Sequence, residues 1–401
     1  MTNPYIKRDV EGILKSVARQ FPSLILTGPR QSGKTTLLKR LFLKTHKYVS
    51  LDDPDIRLMA VKDPRFFLKN YPPPVIIDEI QYAPGLFPFL KMMIDENRSR
   101  KGQFLMTGSQ IFPLMANVSE SLAGRIAIFN LLSFSFGEQL RGKGALDLVN
   151  LKRMVFRGGF PEVVLGSKMN MKFWFNGYLQ TYLERDVRQL RQIGDLMDFQ
   201  RFLELLAAHN GRVLNLSELS RELGIVVNTI KGWISVLEAS HQIIIITPFY
   251  KNKGKRLIKS PKVYFLDTGF LCYLTGISDD QQIFKGPLSG QLLEAVVLGE
   301  IIRNFYNKGE IPRVFWWRTS HGEEVDFVVE HNGKIFPIEV KMSAQTNQSM
   351  ARGLFLFSKI FKNEIKKAIL LNLADKEMIL GDKLESRSIF RISTINSILE
   401  E

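Results

Sequence analysis

Gly28-Pro29-Arg30-Gln31-Ser32-Gly33-Lys34-Thr35 follows the apolar run Leu24-Ile25-Leu26 and precedes Thr36-Leu37-Leu38-Lys39-Arg40-Leu41, whose spacing predicts a helix. Strand, glycine-rich turn and helix in this order make a phosphate-binding loop. The two glycines let successive backbone N–H groups curl around phosphates, and the start of the helix adds its positive end. The expected nucleotide contacts are Gly28, Pro29, Arg30, Gln31, Ser32, Gly33, Lys34, Thr35 and Thr36. Lys34 would reach the β- and γ-phosphates, and the Thr35 hydroxyl would ligate Mg2+.

An acid at the end of a second apolar strand should complete such a site. Val75-Ile76-Ile77-Asp78-Glu79 supplies it, entered through Pro72-Pro73-Pro74, which predicts a short strand buried on both faces. Asp78 is expected to hold Mg2+ through water, and Glu79 to act as the base or water-positioning group for hydrolysis. A third apolar run, Gln103-Phe104-Leu105-Met106, leads into Thr107-Gly108-Ser109-Gln110. There Ser109 is a candidate γ-phosphate sensor, or simply part of a Gly-Ser turn.

These stretches, with Leu122-Ala123-Gly124-Arg125, Gly158-Gly159-Phe160-Pro161, Tyr182-Leu183-Glu184-Arg185-Asp186, Asp326 and Glu339-Val340-Lys341, span the chain from the twenties to the 340s. On them the sequence resembles a prokaryotic family of AAA-type P-loop ATPases with a C-terminal restriction-endonuclease-like domain of the PD-(D/E)xK kind. The resemblance implies an α/β fold with ATP and Mg2+ as cofactors. It also implies that Arg125 completes a nucleotide site, of its own or a neighbouring subunit, although an ordinary ion pair is equally consistent with the residue.

The chain has 401 residues, room for two or three domains, and a single cysteine, Cys272, which excludes an intrachain disulfide and suits a reducing compartment. No run approaches the roughly 18 uninterrupted apolar residues of a spanning helix, and the N-terminus carries no apolar signal core, so a cytoplasmic protein without a membrane partner is expected. Lys and Arg number 55 against 40 acids, a formal charge of +15 that points to DNA as a polyanionic partner.

The location of the charge matters more than its sum. Lys251-Asn252-Lys253-Gly254-Lys255-Arg256-Leu257-Ile258-Lys259-Ser260-Pro261-Lys262 holds six basic residues and no acid between the apolar strands Ile243–Ile246 and Val263–Leu266, and reads as a basic hairpin. Upstream, Ser217 is expected to open a helix that Gly224 ends, and Asn228 to open a second one through Trp233 and Leu237. Two helices followed by a hairpin predict a winged helix, with Asn228, Thr229 and Lys231 at a DNA groove and the wing on phosphates. Further upstream Phe173, Trp174, Phe175 and Tyr178 are read as core rather than as a base-stacking platform.

Near the C-terminus, Val325 to Lys341 reads as a hairpin turning at Asn332-Gly333. If His331 pairs with Lys334, Asp326 falls opposite Glu339, and Lys341 shares that face. Facing carboxylates repel unless a cation joins them, so Mg2+ is expected there, with Lys341 positioning or activating water. This matches the nuclease signature of the resembled family, in which a helix glutamate, here Glu294, also serves the metal; a surface charge is the alternative for Glu294, and an inactive salt-bridge network for the trio.

The expected organisation is an ATPase core over 1–150, a helical segment over 151–205, a winged helix over 206–270 and a restriction-endonuclease-like domain over 271–401. The functional expectation is an ATP-hydrolysing protein whose nucleotide state controls DNA binding and metal-dependent cleavage. A DNA-binding regulator with an inactive nuclease fold and a protein-remodelling ATPase are the alternatives, and a homo-oligomer is compatible with each.

Overall fold

Ser23–Thr27 is buried along its whole length, and this strand, β1, lies inside a parallel sheet of the computed structural model, which describes residues 5–108, 122–182, 196–250 and 260–394. The sheet runs β2-β3-β4-β1-β5, with β2 Lys47–Ser50, β3 Val75–Asp78, β4 Phe104–Gly108 and β5 Ile126–Asn130. All four neighbouring pairs are parallel. Alternation along the strands separates two apolar clusters. Ile25, Ile77 and Met106 pack into one and Leu24, Leu26, Ile76 and Leu105 into the other, each burial contributing about 2 kcal/mol. Because the strands are parallel, Thr27, Asp78, Thr107 and Asn130 all lie at one edge of the sheet, the carboxyl edge where such sheets bind ligands.

This sheet belongs to the first of two compact units, formed by Met1–Phe134, Ala239–His241 and Phe305–Ile311. Its continuous part ends earlier than the expected 150.

The second unit comprises Ser135–Glu238, Gln242–Asn304 and Pro312–Glu401. Its helices include Leu196–Ala208, Leu216–Leu223 and Val227–Ala239, followed by the antiparallel pair β6 Ile243–Ile246 and β7 Lys262–Phe265. The helix expected to open at Ser217 is capped instead by Asn215, whose side chain accepts from the Glu218 N–H at 3.2 Å, so Ser217 already lies in the first turn. Gly224 ends that helix at φ 70°, as expected, and the next begins at Val227, one residue before Asn228. The hairpin segment Lys251–Lys259 lies outside the described residues.

Trp174, Phe175 and Tyr178 pack tilted or edge-on against Phe160 in an aromatic core, with Trp174 stacked on Tyr178. Phe173 does not join it and is 74 % exposed. The helical repeat explains the difference: two residues before Phe175 is about 200° around the helix, so both rings cannot face inward.

A second sheet is ordered β12-β13-β11-β10-β9-β8, with β8 Val314–Arg318, β9 Glu324–His331, β10 Lys334–Lys341, β11 Ala368–Asn372, β12 Met378–Gly381 and β13 Leu384–Ser388. The β9–β10 turn has Asn332 at φ 48° and Gly333 at φ 73°, the two left-handed residues of a tight hairpin. Its ladder runs in the expected register, from Lys334↔His331 to Ile338↔Phe327. Pro337 cannot donate a hydrogen bond, and the parallel pairing of β10 with β11 begins one residue later, at Ile338↔Ile369. Among the described residues no helix is long and apolar enough to cross a membrane.

Candidate functional site

The phosphate loop is held in shape from both sides. Gly28 (φ 139°) and Gly33 (φ 92°) adopt backbone conformations that disfavour side chains. Buried Arg8 donates to the Ser32 carbonyl at 3.1 Å and to the Leu132 carbonyl at 2.8 Å, tying the loop to the segment after β5. Lys34 donates to the carbonyls of Gly28 (3.0 Å) and Pro29 (2.8 Å), which keeps its ammonium over the loop where β- and γ-phosphates would compete for it. Among the described residues the buried Ser32 Oγ has no hydrogen-bond partner.

Asp78 is the hub. Its Oδ1 accepts from the hydroxyls of Thr35 at 2.7 Å and Thr107 at 2.5 Å, and its Oδ2 from Tyr48 at 2.9 Å. Burial and the Asp78 charge raise Tyr48 to about 12, so it remains a donor at neutral pH. A hydroxyl and a carboxylate side by side are hard oxygen donors that fit Mg2+, directly at Thr35 and through water at Asp78. Next to this hub Glu79 stands in the left-handed region at φ 57°. Its N–H donates to Thr107 Oγ1 at 3.0 Å and its carboxylate accepts from the Gln81 amide. Such a conformation costs about 1–3 kcal/mol in a residue other than glycine and is concentrated at functional sites.

Of the other expected nucleotide residues, Arg125 is not in this group. Ser109 lies outside the described residues. Arg125 pairs with Asp95 through two hydrogen bonds, at 2.7 and 3.0 Å. It precedes β5 beside Ser23, at the amino edge of the sheet. One strand, roughly 13 Å, separates that edge from the phosphate loop, so Arg125 cannot complete its own chain's site.

In the second unit a cluster of acids and lysines is assembled from four elements. Glu294 comes from the helix Ser289–Asn307, Glu324 and Asp326 from β9, Glu339 and Lys341 from β10, and Lys262 and Tyr264 from β7. The β9–β10 ladder stops one pair short of Asp326 and Glu339; there Asp326 turns its carboxylate onto the Val340 N–H at 2.8 Å. Lys341 Nζ lies 2.5 Å from Glu339 Oε1. Glu339 Oε2 is buried and, among the described residues, has no hydrogen-bond partner. Burial and the Asp326 charge push Glu339 up to about 8, and burial raises Asp326 as well. Burial pulls Lys341 down, but Glu339 and Asp326 outweigh it and keep the ammonium charged.

Glu294 also reaches the cluster, where burial and Asp326 raise it to about 8, and its Oε2 accepts from the Tyr264 hydroxyl at 2.7 Å. It does not close on one point with Asp326 and Glu339. Among the described residues the trio whose ligand atoms lie mutually within 4.8 Å is elsewhere, His209, Glu218 and Glu222. What the cluster offers a divalent ion is therefore the Asp326–Glu339 pair, and the unpartnered Glu339 oxygen fits that use.

Residues 20–140 match the AAA domain family, 148–281 a domain of unknown function (DUF8612) and 289–394 a second one (DUF4143). Two uncharacterized mycobacterial proteins, Rv2008c of Mycobacterium tuberculosis and Mb2031c of Mycobacterium bovis, are 32 % identical over 340 residues, which is 84 % of this chain and 74 % of theirs. The chain belongs to the family of these two proteins. With an AAA domain bearing a complete phosphate loop, it is an AAA-type ATPase. A solved Walker-type ATPase of Pyrococcus abyssi, PABY2304, aligns over 68 % of this chain and 99 % of its own at 16 % identity, with a TM-score of 0.45.

In the ATPase unit, sequence reading passed over Arg8, Tyr48, Thr107, Asn130 and His241. Thr107 alone had a signal, its place at the end of β4, and its hydroxyl donates to Asp78. Asn130 Oδ1 accepts from Thr27 Oγ1 at 2.6 Å, and His241 Nε2 lies 3.2 Å from the same oxygen, which makes that nitrogen the donor. Burial and the Lys34 charge lower His241 to about 4.

The sign of the pH effect follows. Between pH 6.5 and 4 the unfolded chain binds a proton that the folded site resists, so the contribution of His241 to stability is complete above pH 6.5 and is lost as pH falls toward 4. Its full size is about 3 kcal/mol. His241→Asn keeps an amide donor and tolerates the positive φ of 54°. It should flatten the acid limb of a urea-unfolding series between pH 7 and 4.5; an unchanged limb would assign the pH dependence to other groups.

Proposed function

We propose that ATP binding and hydrolysis by the AAA domain govern DNA binding and Mg2+-dependent phosphodiester cleavage by the C-terminal half. The observation that carries this reading is the buried Asp326–Glu339 pair with Lys341 on one glutamate oxygen and, among the described residues, no hydrogen-bond donor on the other. A bound divalent ion would supply Lewis acidity and a nucleophilic water at that pair. Lys341, still protonated at neutral pH, would orient that water or stabilise charge on the phosphate, and Asp326 would be kept in line by the Val340 N–H.

Two features favour DNA as the substrate. The order helix Ser289–Asn307, antiparallel β8-β9-β10, helix Arg352–Ile360 and β11 parallel to β10 is compatible with a restriction-endonuclease-like core and supports the reading to that extent. The helices Leu216–Leu223 and Val227–Ala239 with the β6–β7 pair fit a winged helix, with Asn228 and Lys231 exposed and a wing sequence rich in lysine. A charge of +15 supplies the sequence-independent attraction to phosphate.

Plasmid and branched DNA incubated with Mg2+ or Mn2+, with and without ATP, test the proposal beside Lys34→Ala and Lys341→Ala. Cleavage that disappears in Lys341→Ala and changes its ATP dependence in Lys34→Ala is the expected result. No cleavage under any condition, with ATP hydrolysis and DNA binding intact, would make the C-terminal half a recognition module.

A further inference from the structure

His209, Glu218 and Glu222, all in the second unit, have no part in the ATP or phosphodiester chemistry. His209 follows the helix Leu196–Ala208, and the two glutamates stand one turn apart on the helix Leu216–Leu223, which packs against it. The ligand atoms of the three side chains lie within 4.8 Å of one another. Both backbones that carry them are fixed. Asn210, next to the histidine, is buried; its side chain accepts from the Phe265 N–H at 2.8 Å and donates to the Gln291 carbonyl at 3.3 Å. The glutamate helix is held by its Asn215 cap and by buried Leu219.

The imidazole is set up as a ligand. A carbonyl oxygen can only accept, so the 2.9 Å contact between His209 Nδ1 and the Leu205 carbonyl puts the proton of the neutral ring on Nδ1 and leaves the lone pair on Nε2. A ring N–H on a backbone carbonyl is the usual support of a metal-binding histidine. The glutamates add a second argument. Carboxylates four residues apart on a helix repel each other, and among the described residues neither Glu218 nor Glu222 is paired with a lysine or arginine that would offset this.

One imidazole nitrogen with two carboxylates is a mixed donor set. Mg2+ and Ca2+ favour oxygen alone, whereas Zn2+ accepts all three ligands. At Zn–N and Zn–O bonds of about 2.0–2.1 Å, neighbouring ligand atoms of a tetrahedral site stand about 3.3 Å apart, so the trio has to close by no more than about 1.5 Å. Rotation of the glutamate side chains, of which Glu222 is exposed, supplies that. We infer that His209, Glu218 and Glu222 form a Zn2+ site that clips the end of the helix Leu196–Ala208 to the helix Leu216–Leu223, with water in the fourth position. This does not depend on the reading of Asp326 and Glu339.

The test titrates full-length protein, without nucleotide and in excess Mg2+ to fill oxygen-only sites, with Co2+ as a visible-absorption probe, and then displaces it with Zn2+. A saturable Co2+ spectrum that Zn2+ removes is expected, together with a rise in Tm on adding Zn2+. His209→Ala and Glu222→Gln should each weaken Zn2+ binding by about tenfold or more, since even a lost outer partner costs that much, and should cancel the rise in Tm. Asp326→Asn combined with Glu339→Gln should change neither. If His209→Ala fails to fold, the exposed Glu222→Gln carries the test alone. Absence of the Co2+ spectrum, wild-type Zn2+ affinity in Glu222→Gln, or a loss confined to the Asp326 and Glu339 variant would each overturn the inference.

Discussion

Glu79→Gln should lower ATP hydrolysis by about 100-fold or more, the usual worth of a positioned proton acceptor, while nucleotide affinity stays near the wild-type value. Glu79 directly follows the Asp78 hub, and its left-handed backbone is fixed by the N–H bond to Thr107. Glutamine keeps the length and the polar contacts but cannot take a proton. Lys34→Ala should behave differently. The ammonium it removes sits over the loop carbonyls of Gly28 and Pro29, where the phosphates would enter, so binding and turnover should fall together. Fluorescent-nucleotide titration and phosphate release separate the two outcomes. Turnover by Glu79→Gln within threefold of wild type would move the catalytic base elsewhere.

Gly28→Ala should cost about 3 kcal/mol or more, combining left-handed strain with a backbone clash. A methyl on Gly28 would lie 2.1 Å from the Leu131 carbonyl oxygen, at a φ of 139°. That oxygen belongs to the main chain following β5, in the segment where Leu132 is held by Arg8, so relief requires the sheet edge or the loop to move. The loss should appear both as a lower urea midpoint and as weaker nucleotide binding. A variant with wild-type stability would mean that the loop relaxes without cost. Gly12, where a methyl meets nothing within 4 Å, is the matched control for the stability readout.

The parts of the fold and sites that could be read in the sequence are those whose chemistry is local along the chain. The phosphate loop compresses strand, turn and helix into the short stretch from Ser23 to Phe42, and the Asn332-Gly333 turn sets the register of β9 and β10 by its length alone. Residues brought in from a distance left no such mark. Arg8 reaches Leu132 and His241 reaches Asn130 across more than a hundred positions, and Lys262 meets Glu324 from another strand. Where competing local options existed, geometry chose between them: Asn215 over Ser217 as a cap, and Phe175 over Phe173 as the inward ring. Arg125 had two local readings, an ion pair and a nucleotide contact; the pair with Asp95 is formed, and its place at the amino edge leaves only a neighbouring subunit's site for the second.

The nucleotide-binding unit is not one continuous stretch of chain, since Ala239–His241 and Phe305–Ile311 belong to it along with Met1–Phe134. His241 on Asn130, with Tyr306 against the His241 ring and Gly309 beside Phe129, are contacts made by these late arrivals. During synthesis the unit is therefore complete only after Ile311 has emerged, roughly 10–35 s after Phe134 at ordinary elongation rates, although all five strands of its sheet precede Phe134. A ribosome-bound chain stopped between those points would present the phosphate loop on a unit still lacking its last pieces, and a protein shortened to its first 134 residues would remain in that state permanently.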